Sequence, residues 1–252
     1  MPDKPQQSRL LVPFGTKDWA TNRIIVSRND VGELVFECPV SHAILDIKTQ
    51  QALRLNSDWY SYSERPPISE LKTAEARFNF IKNHMPIYCD IWDKSQNLFL
   101  NHYFSFILQH ADKNQYILKN KLKGLNSLYS YQDWLMSAYL PLPQSIIYLP
   151  QDPQNQAYEN KEMFRVPLLF WTGQRAIILF FIGSDTPSPR LTNMQTKLTV
   201  NGYNVYKIEQ KRLIVGDDTW MEEFLMEHFG HFWEAEVLPS GPFKPKIADP
   251  IN

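Results

Sequence analysis

Between Asn22 and Leu55 the apolar positions fall in short runs, "RIIVSR", "ELVFECPV", "AILDI" and "QALRL", divided by turn formers of which "NDVG" is the plainest. This spacing predicts a small β-meander. In "RPPISELKTAEARFNFIKN" the period changes to that of a helix: Leu71, Ala74, Phe78 and Ile81 share a face behind Ser69, a candidate cap, while Glu70, Lys72, Glu75, Arg77 and Lys82 occupy the other side. "MPIYCDIWD" reads as extended after Pro86. In "NLFLNHYFSFILQHAD", Phe99, Tyr103, Phe106, Ile107 and His110 share one face of an expected buried helix. "SYQDWLMSAYLPLP" predicts a short helix stopped by Pro141 and Pro143, and "SIIYLP" a strand; "QDPQNQAYENKE" has no apolar period and predicts a loop.

The clearest pattern begins at Phe164. "FRVPLLFW", the turn "TGQR" and "AIILFFIG" form a hairpin apolar enough to be buried on both faces. Ser188 and Pro189 suit the start of a helix in which Leu191, Met194 and Leu198 line one side, and Gly202 suits its end, where a left-handed residue is wanted. "YNVYKI" follows as a strand, and Asp218 or Thr219 caps a last amphipathic helix, "WMEEFLMEHF". The expected fold is α/β or α+β, a mixed sheet flanked by helices. Its sections are a β-rich 1–62, a helical 63–150, a polar loop at 151–160, an α/β core at 161–238 and a proline-rich tail at 239–252, all compatible with one domain.

Composition narrows the function classes. A net charge of −1 provides no global positive field for nucleic acid or an anionic membrane, so contact with either must come from a local patch. Lys119, Lys121 and Lys123, with Arg175, Arg190 and Lys197, are the candidate phosphate-binding residues, Tyr116 adding an aromatic surface. The two cysteines, Cys38 and Cys89, form no framework and no CxxC motif, which fits a reducing, cytoplasmic location. No apolar run reaches the roughly 18 residues that span a bilayer, and the N-terminus lacks the pattern of a signal peptide, so no membrane partner is expected. Nine glycines, without a phosphate-cradling series, disfavour a nucleotide cofactor, and there is no nucleophile elbow. His228 with His231, and Cys38 and His42 with His84 and Cys89, are the only residues with metal-like grouping, and neither set has a strong zinc spacing, so no metal is assigned to them.

The residues "AIILFFIGSD" followed by "QTKLTVNGYNVYKI" resemble the core of the PD-(D/E)xK nuclease superfamily, in particular its very-short-patch-repair-type members. The resemblance covers the last third of the chain. It implies an Asp at the end of one central strand and a Glu or Asp, often followed by a Lys, on the next, together holding a Mg²⁺ that activates water. Aligned through the hairpin, those positions fall near Val166, Pro167 or Leu168 and at Leu179 to Phe181, all apolar. The resemblance therefore implies a restriction-endonuclease-like, nucleic-acid-associated protein without the standard metal site, binding DNA or RNA or serving as a subunit of a complex, with no assigned cofactor. One alternative is an active nuclease whose acids are relocated to Glu70, Asp90 and Asp185, with Mg²⁺ as cofactor. Another is a scaffold that binds only protein. Against a catalytic role, Asp185 has a turn role in "GSDTPSP", and Glu70 a solvated helix face. Asp90 interrupts an apolar run, as a paired, half-buried carboxylate or a strand residue facing water would.

Overall fold

The computed structural model describes residues 9–15, 25–28, 34–37, 43–48, 52–56, 60–61, 71, 73–90, 92–122, 124–125, 128–150, 161–173, 175–183, 189–215 and 218–233. The fold is of the α/β class, centred on a four-stranded mixed sheet. Its strands are β6 (Pro141–Pro150), β7 (Lys161–Trp171), β8 (Ala176–Ile182) and β9 (Asn204–Glu209), in that spatial order. β6–β7 and β7–β8 pair antiparallel, and β8–β9 pair parallel after a crossover through helix α4 (Pro189–Val200). The polar stretch 151–160 joins two paired strands and lies outside the described residues.

The other elements follow chain order. β1 (Arg9–Phe14), β4 (Ala43–Lys48) and β5 (Tyr60–Ser61) form a small antiparallel sheet, and β2 (Ile25–Arg28) and β3 (Leu34–Glu37) form the hairpin that "NDVG" predicts. "QALRL" is not a strand of that meander. Leu53 N–H donates to Trp171 O at 2.9 Å and Leu55 N–H to Ala138 O at 2.8 Å, so the segment is drawn to the larger sheet. β1 meets the edge strand β6 through Gly15 N–H to Pro143 O at 2.8 Å. Gly15 has φ +75°, and a Cβ there would lie 2.4 Å from the ring of Tyr88, so close approach and backbone shape both require glycine.

Helix α1 (Ala74–His84) is capped by Thr73, whose hydroxyl accepts from Ala76 N–H at 3.1 Å; the expected cap, Ser69, lies outside the described residues. Leu71 precedes the helix, its carbonyl held by Arg77 Nε–H at 2.6 Å. "MPIY" is not extended but a 3₁₀ turn, Met85–Tyr88, because Pro86 at its start removes an N–H that has no partner there in any case. α2 (Lys94–Lys113) is the long buried helix, its inner face made of Phe99, Tyr103, Phe106 and Ile107. α3 (Gln115–Lys121) is short, and "YQDWLMS" forms a 3₁₀ helix, Tyr131–Ser137, closed by a reciprocal cap between Ser130 and Asp133. β6 begins at Pro141, so the prolines read as helix stops also open a strand, as an edge position permits. α5 (Gln210–Val215) and α6 (Asp218–Phe229) complete the described chain.

Aromatic side chains build the core where α2 and α6 cover the sheet. Phe170 of β7 lies 5.2 Å from Tyr103 and 4.6 Å from Phe229, centroid to centroid, and Phe99 lies 5.9 Å from Phe181. Tilted and edge-to-face pairs of this kind add to the apolar area they bury. Gly202, at φ +86°, ends α4 and turns the chain into β9, as its position in the sequence predicts. No helix among the described residues is long and apolar enough to cross a membrane.

Candidate functional site at the fork of the sheet

A proline sets the geometry. Pro167, in the middle of β7, has no N–H to give to a neighbouring strand. The β6–β7 ladder omits the pair Gln144–Pro167 while continuing on both sides, and the β7–β8 ladder ends at Leu168–Leu179. Beyond that apex β7 reaches back to Lys161 beside β6, and β8 runs on to Ile182 beside β9, so the sheet forks at the carboxyl end of β8.

Polar residues gather at this fork. Opposite Pro167, Gln144 takes φ 51°, the one positive value at a non-glycine among the described residues. That conformation costs about 1–3 kcal/mol. Its side chain is buried and donates Nε2–H to Gln96 Oε1 at 2.8 Å, and the same oxygen receives Asp90 N–H at 3.4 Å. Asp90 itself is half-buried. One carboxylate oxygen accepts Trp92 N–H at 2.9 Å, and its carbonyl accepts Asp93 N–H at 3.2 Å, a tight turn leading into α2. Asp93 caps α2 through Ser95 N–H at 2.9 Å and receives Gln210 Nε2–H at 3.5 Å. Gly183 at the end of β8 makes room for Gln210: a Cβ on it would stand 2.6 Å from Gln210 Oε1.

Arg165 brings the positive charge. It precedes the fork on β7, half-buried; burial lowers its pKa, and the charge of Asp90 opposes that shift. A guanidinium remains charged under such conditions, and Asp90 is near enough to favour that charge. Cys89, next to Asp90, is no nucleophile: burial first, then Asp93 and Asp90, push its thiol up to about 12.

Of the acids singled out in the sequence, Asp90 stands at the fork, in a turn and not a strand, while Glu70 and Asp185 lie outside the described residues. Val166, Leu168, Leu179 and Phe180, which occupy or adjoin the strand positions implied by the resemblance, are buried core. Among the described residues no group of three His, Cys, Asp or Glu side chains is placed to hold a metal ion. His228 packs against Tyr206 with ring centroids 4.5 Å apart, His84 stacks on Phe80 at 3.7 Å, and Cys89 Sγ–H points to Met85 O, all in structural roles.

The basic residues do not form one stripe. Arg175 is exposed in the β7–β8 turn, at the end of β8 opposite the fork, and Arg190 is exposed in the first turn of α4. Lys197 lies over the Phe164 ring at 5.8 Å. Lys119 hydrogen-bonds Gln115 at 3.1 Å and approaches the Tyr131 ring at 5.3 Å. Lys121 is exposed, and its Nζ donates to Trp233 O at 3.0 Å and sits 5.9 Å from the Trp134 ring. Lys123 is outside the described residues. A separate groove of about 260 Å³ between α2 and α6 is lined by residues including His102, Ser105, Gln109, Lys113 and Glu222, and contains none of the predicted site residues.

Sequence reasoning missed Arg165, Gln96, Gln144 and Gln210. Only Arg165 left a trace, as the single charge in "FRVPLLFW". The architecture defines an α/β protein with a forked mixed sheet. No family model, no curated protein and no solved structure matches the chain.

Proposed function

We propose that this is a nucleic-acid-associated protein on a nuclease-like sheet, acting by binding rather than through a metal site on its central strands. The observation that supports this reading most directly is the pair Leu168–Leu179. These residues are register partners at the apex of the fork, on the strands where the PD-(D/E)xK resemblance puts metal-holding acids, and both are fully buried. The reading is built on the antiparallel hairpin, the crossover helix and the parallel strand of the mixed sheet. A second reading, cleavage with Mg²⁺ by acids relocated to Glu70, Asp90 and Asp185, draws support from the position of Asp90 at the fork.

Binding of labelled duplex DNA, single-stranded DNA and RNA at low and moderate salt, alongside cleavage assays with Mg²⁺ or Mn²⁺, tests both. The expected result is salt-dependent binding without cleavage, weakened by Arg190→Glu. Cleavage that Asp90→Ala abolishes replaces the first reading with the second. Absence of any binding overturns both and leaves a protein-binding scaffold.

A further inference from the structure

Helix α4 joins the two branches of the fork. It packs against β9, and it places Lys197 Nζ 5.8 Å from the ring of Phe164, on the part of β7 that has parted from β8. Its hold on the sheet is slight. Nine of the 20 residues of α2 are buried, against two of the 12 in α4, Leu198 and Gln195, with Leu191 and Met194 partly covered.

Gln195 is the weak anchor of the two. Its side chain is 4% exposed, and neither Oε1 nor Nε2 has a hydrogen-bond partner among the described residues. An amide taken out of water without a partner opposes the docking that buries it, by about 5- to 150-fold in the equilibrium constant, and regains its hydrogen bonds when the helix lifts. The other polar side chains of α4 serve the helix itself. The hydroxyls of Thr196 and Thr199 and the amide of Asn201 donate to carbonyls one turn back, at 2.9, 3.0 and 2.8 Å, so these bonds add nothing to the hold on the sheet. At the carboxyl end Gly202 has φ +86° with open space where a Cβ would stand, so the chain can turn there. The six parallel register pairs of β8 and β9 do not involve α4, and they keep the sheet together when it moves.

We infer that α4 is a strap across the fork that opens well short of global unfolding, and that Gln195 is the built-in weakness that sets how often it does so. Opening uncovers the seat of Leu198 and parts Lys197 from Phe164, which gives access to the cleft between the two branches. The device stands whether or not the protein binds nucleic acid.

The test is hydrogen exchange of the full chain, resolved by segment over a series of low urea concentrations. A free helix of 12 residues is only marginally stable, so the amides of α4 exchange once it leaves the sheet. In wild type they are expected to exchange faster than those of β8 and β9, at a rate nearly independent of urea, because a local opening exposes little surface. Gln195→Leu keeps the bulk and removes the amide, and is expected to slow that exchange by about 5- to 150-fold. Gln195→Glu, which must bury a carboxylate, is expected to speed it. Exchange of α4 in step with β8 and β9 at every urea concentration overturns the inference, since the helix then leaves only when the sheet unfolds. An unchanged rate in Gln195→Leu also overturns it, since the amide is then satisfied in solution and is no weakness.

Discussion

The two ends of the β7–β8 hairpin are made of similar apolar residues and solve opposite problems. At the closed end every strand position is paired up to Trp171–Ala176, and the polar atoms that meet there are joined by one side chain, Arg54. Its guanidinium donates to Ser137 O and, at 3.2 Å, to Phe232 O, and stacks 5.0 Å from the Tyr139 ring, while Tyr103 Oη–H donates to Tyr139 O at 2.6 Å. Arg54 thus ties the N-terminal segment, the 3₁₀ helix Tyr131–Ser137 and the C-terminal turn into one unit. At the forked end Pro167 removes a rung, a glutamine adopts a left-handed backbone, and the charges of Arg165 and Asp90 stand half-exposed. The contrast shows what turns a polar cluster into a candidate site. Arg54 spends its donors on backbone carbonyls of the fold, whereas the fork leaves the Trp92 indole and the Lys94 ammonium exposed.

Removing the closed-end clasp has the largest expected effect. Arg54→Ala leaves the carbonyls of Ser137 and Phe232 without their donor and loses the stack on Tyr139, for a destabilisation of about 2–4 kcal/mol measured by urea unfolding. Nucleic-acid binding by the surviving folded fraction is expected to be unchanged. A loss below about 1 kcal/mol would mean that the closed end is no better braced than the fork.

Gln144 sharpens the comparison from the other side, with a smaller effect. Gln144→Ala removes the donor to Gln96 and keeps a Cβ at φ 51°, so it is expected to cost about 1–3 kcal/mol. Gln144→Gly loses the same hydrogen bond but relieves the backbone, and is expected to be more stable than the alanine variant by roughly 1 kcal/mol. Equal stabilities would show that residue 144 is not left-handed in solution and that Pro167 does not strain its partner strand.

What could be read from the sequence was local. Pro189, Gly202, the two apolar runs of the hairpin and the 3.6-residue period of α2 each announce themselves within a dozen residues, and each stands where expected. The fork depends on partners far apart in the chain. Pro167 is visible as a proline, but which rung it deletes depends on the register with Gln144, and register is a tertiary property. Two lone charges of opposite sign in apolar runs, Asp90 in "IYCDIW" and Arg165 in "FRVPLLFW", were the available hint that each lies in a half-buried setting where the other's charge is felt. Gln96 and Gln144 left no hint at all: an uncharged amide in a sequence does not reveal that it is buried. The lysine run shows the same limit, as Lys121, although exposed, also donates to a carbonyl of the C-terminal turn more than a hundred residues away.

The two ends also differ in how pH reaches them, the smallest effect and the most local. His110, near the closed-end elements, lies 4.5 Å from the Trp233 ring, and burial lowers its pKa; Gly230 and Glu222 favour its protonated form, while Lys113 and His231 oppose it. A histidine with a lowered folded pKa binds fewer protons folded than unfolded. Its contribution to stability is therefore complete above the unfolded value of about 6.5 and is lost as pH falls through the folded one. Cys89, beside the fork, has the opposite sign. With the thiol raised from 9.0 to about 12, stability is complete below pH 9 and declines as pH rises toward 12, because the unfolded chain ionises first. Hydrogen exchange resolved by segment is expected to show acid loosening α2's C-terminal half and the turn at Gly230, and alkali loosening the segment 85–96 through Cys89 and the closed end through Tyr103, whose hydroxyl pKa burial also raises. His110→Gln should flatten the acid limb alone, and Cys89→Ala the alkaline limb alone. If either substitution flattens both limbs, the two ends do not respond independently and the contrast between them fails.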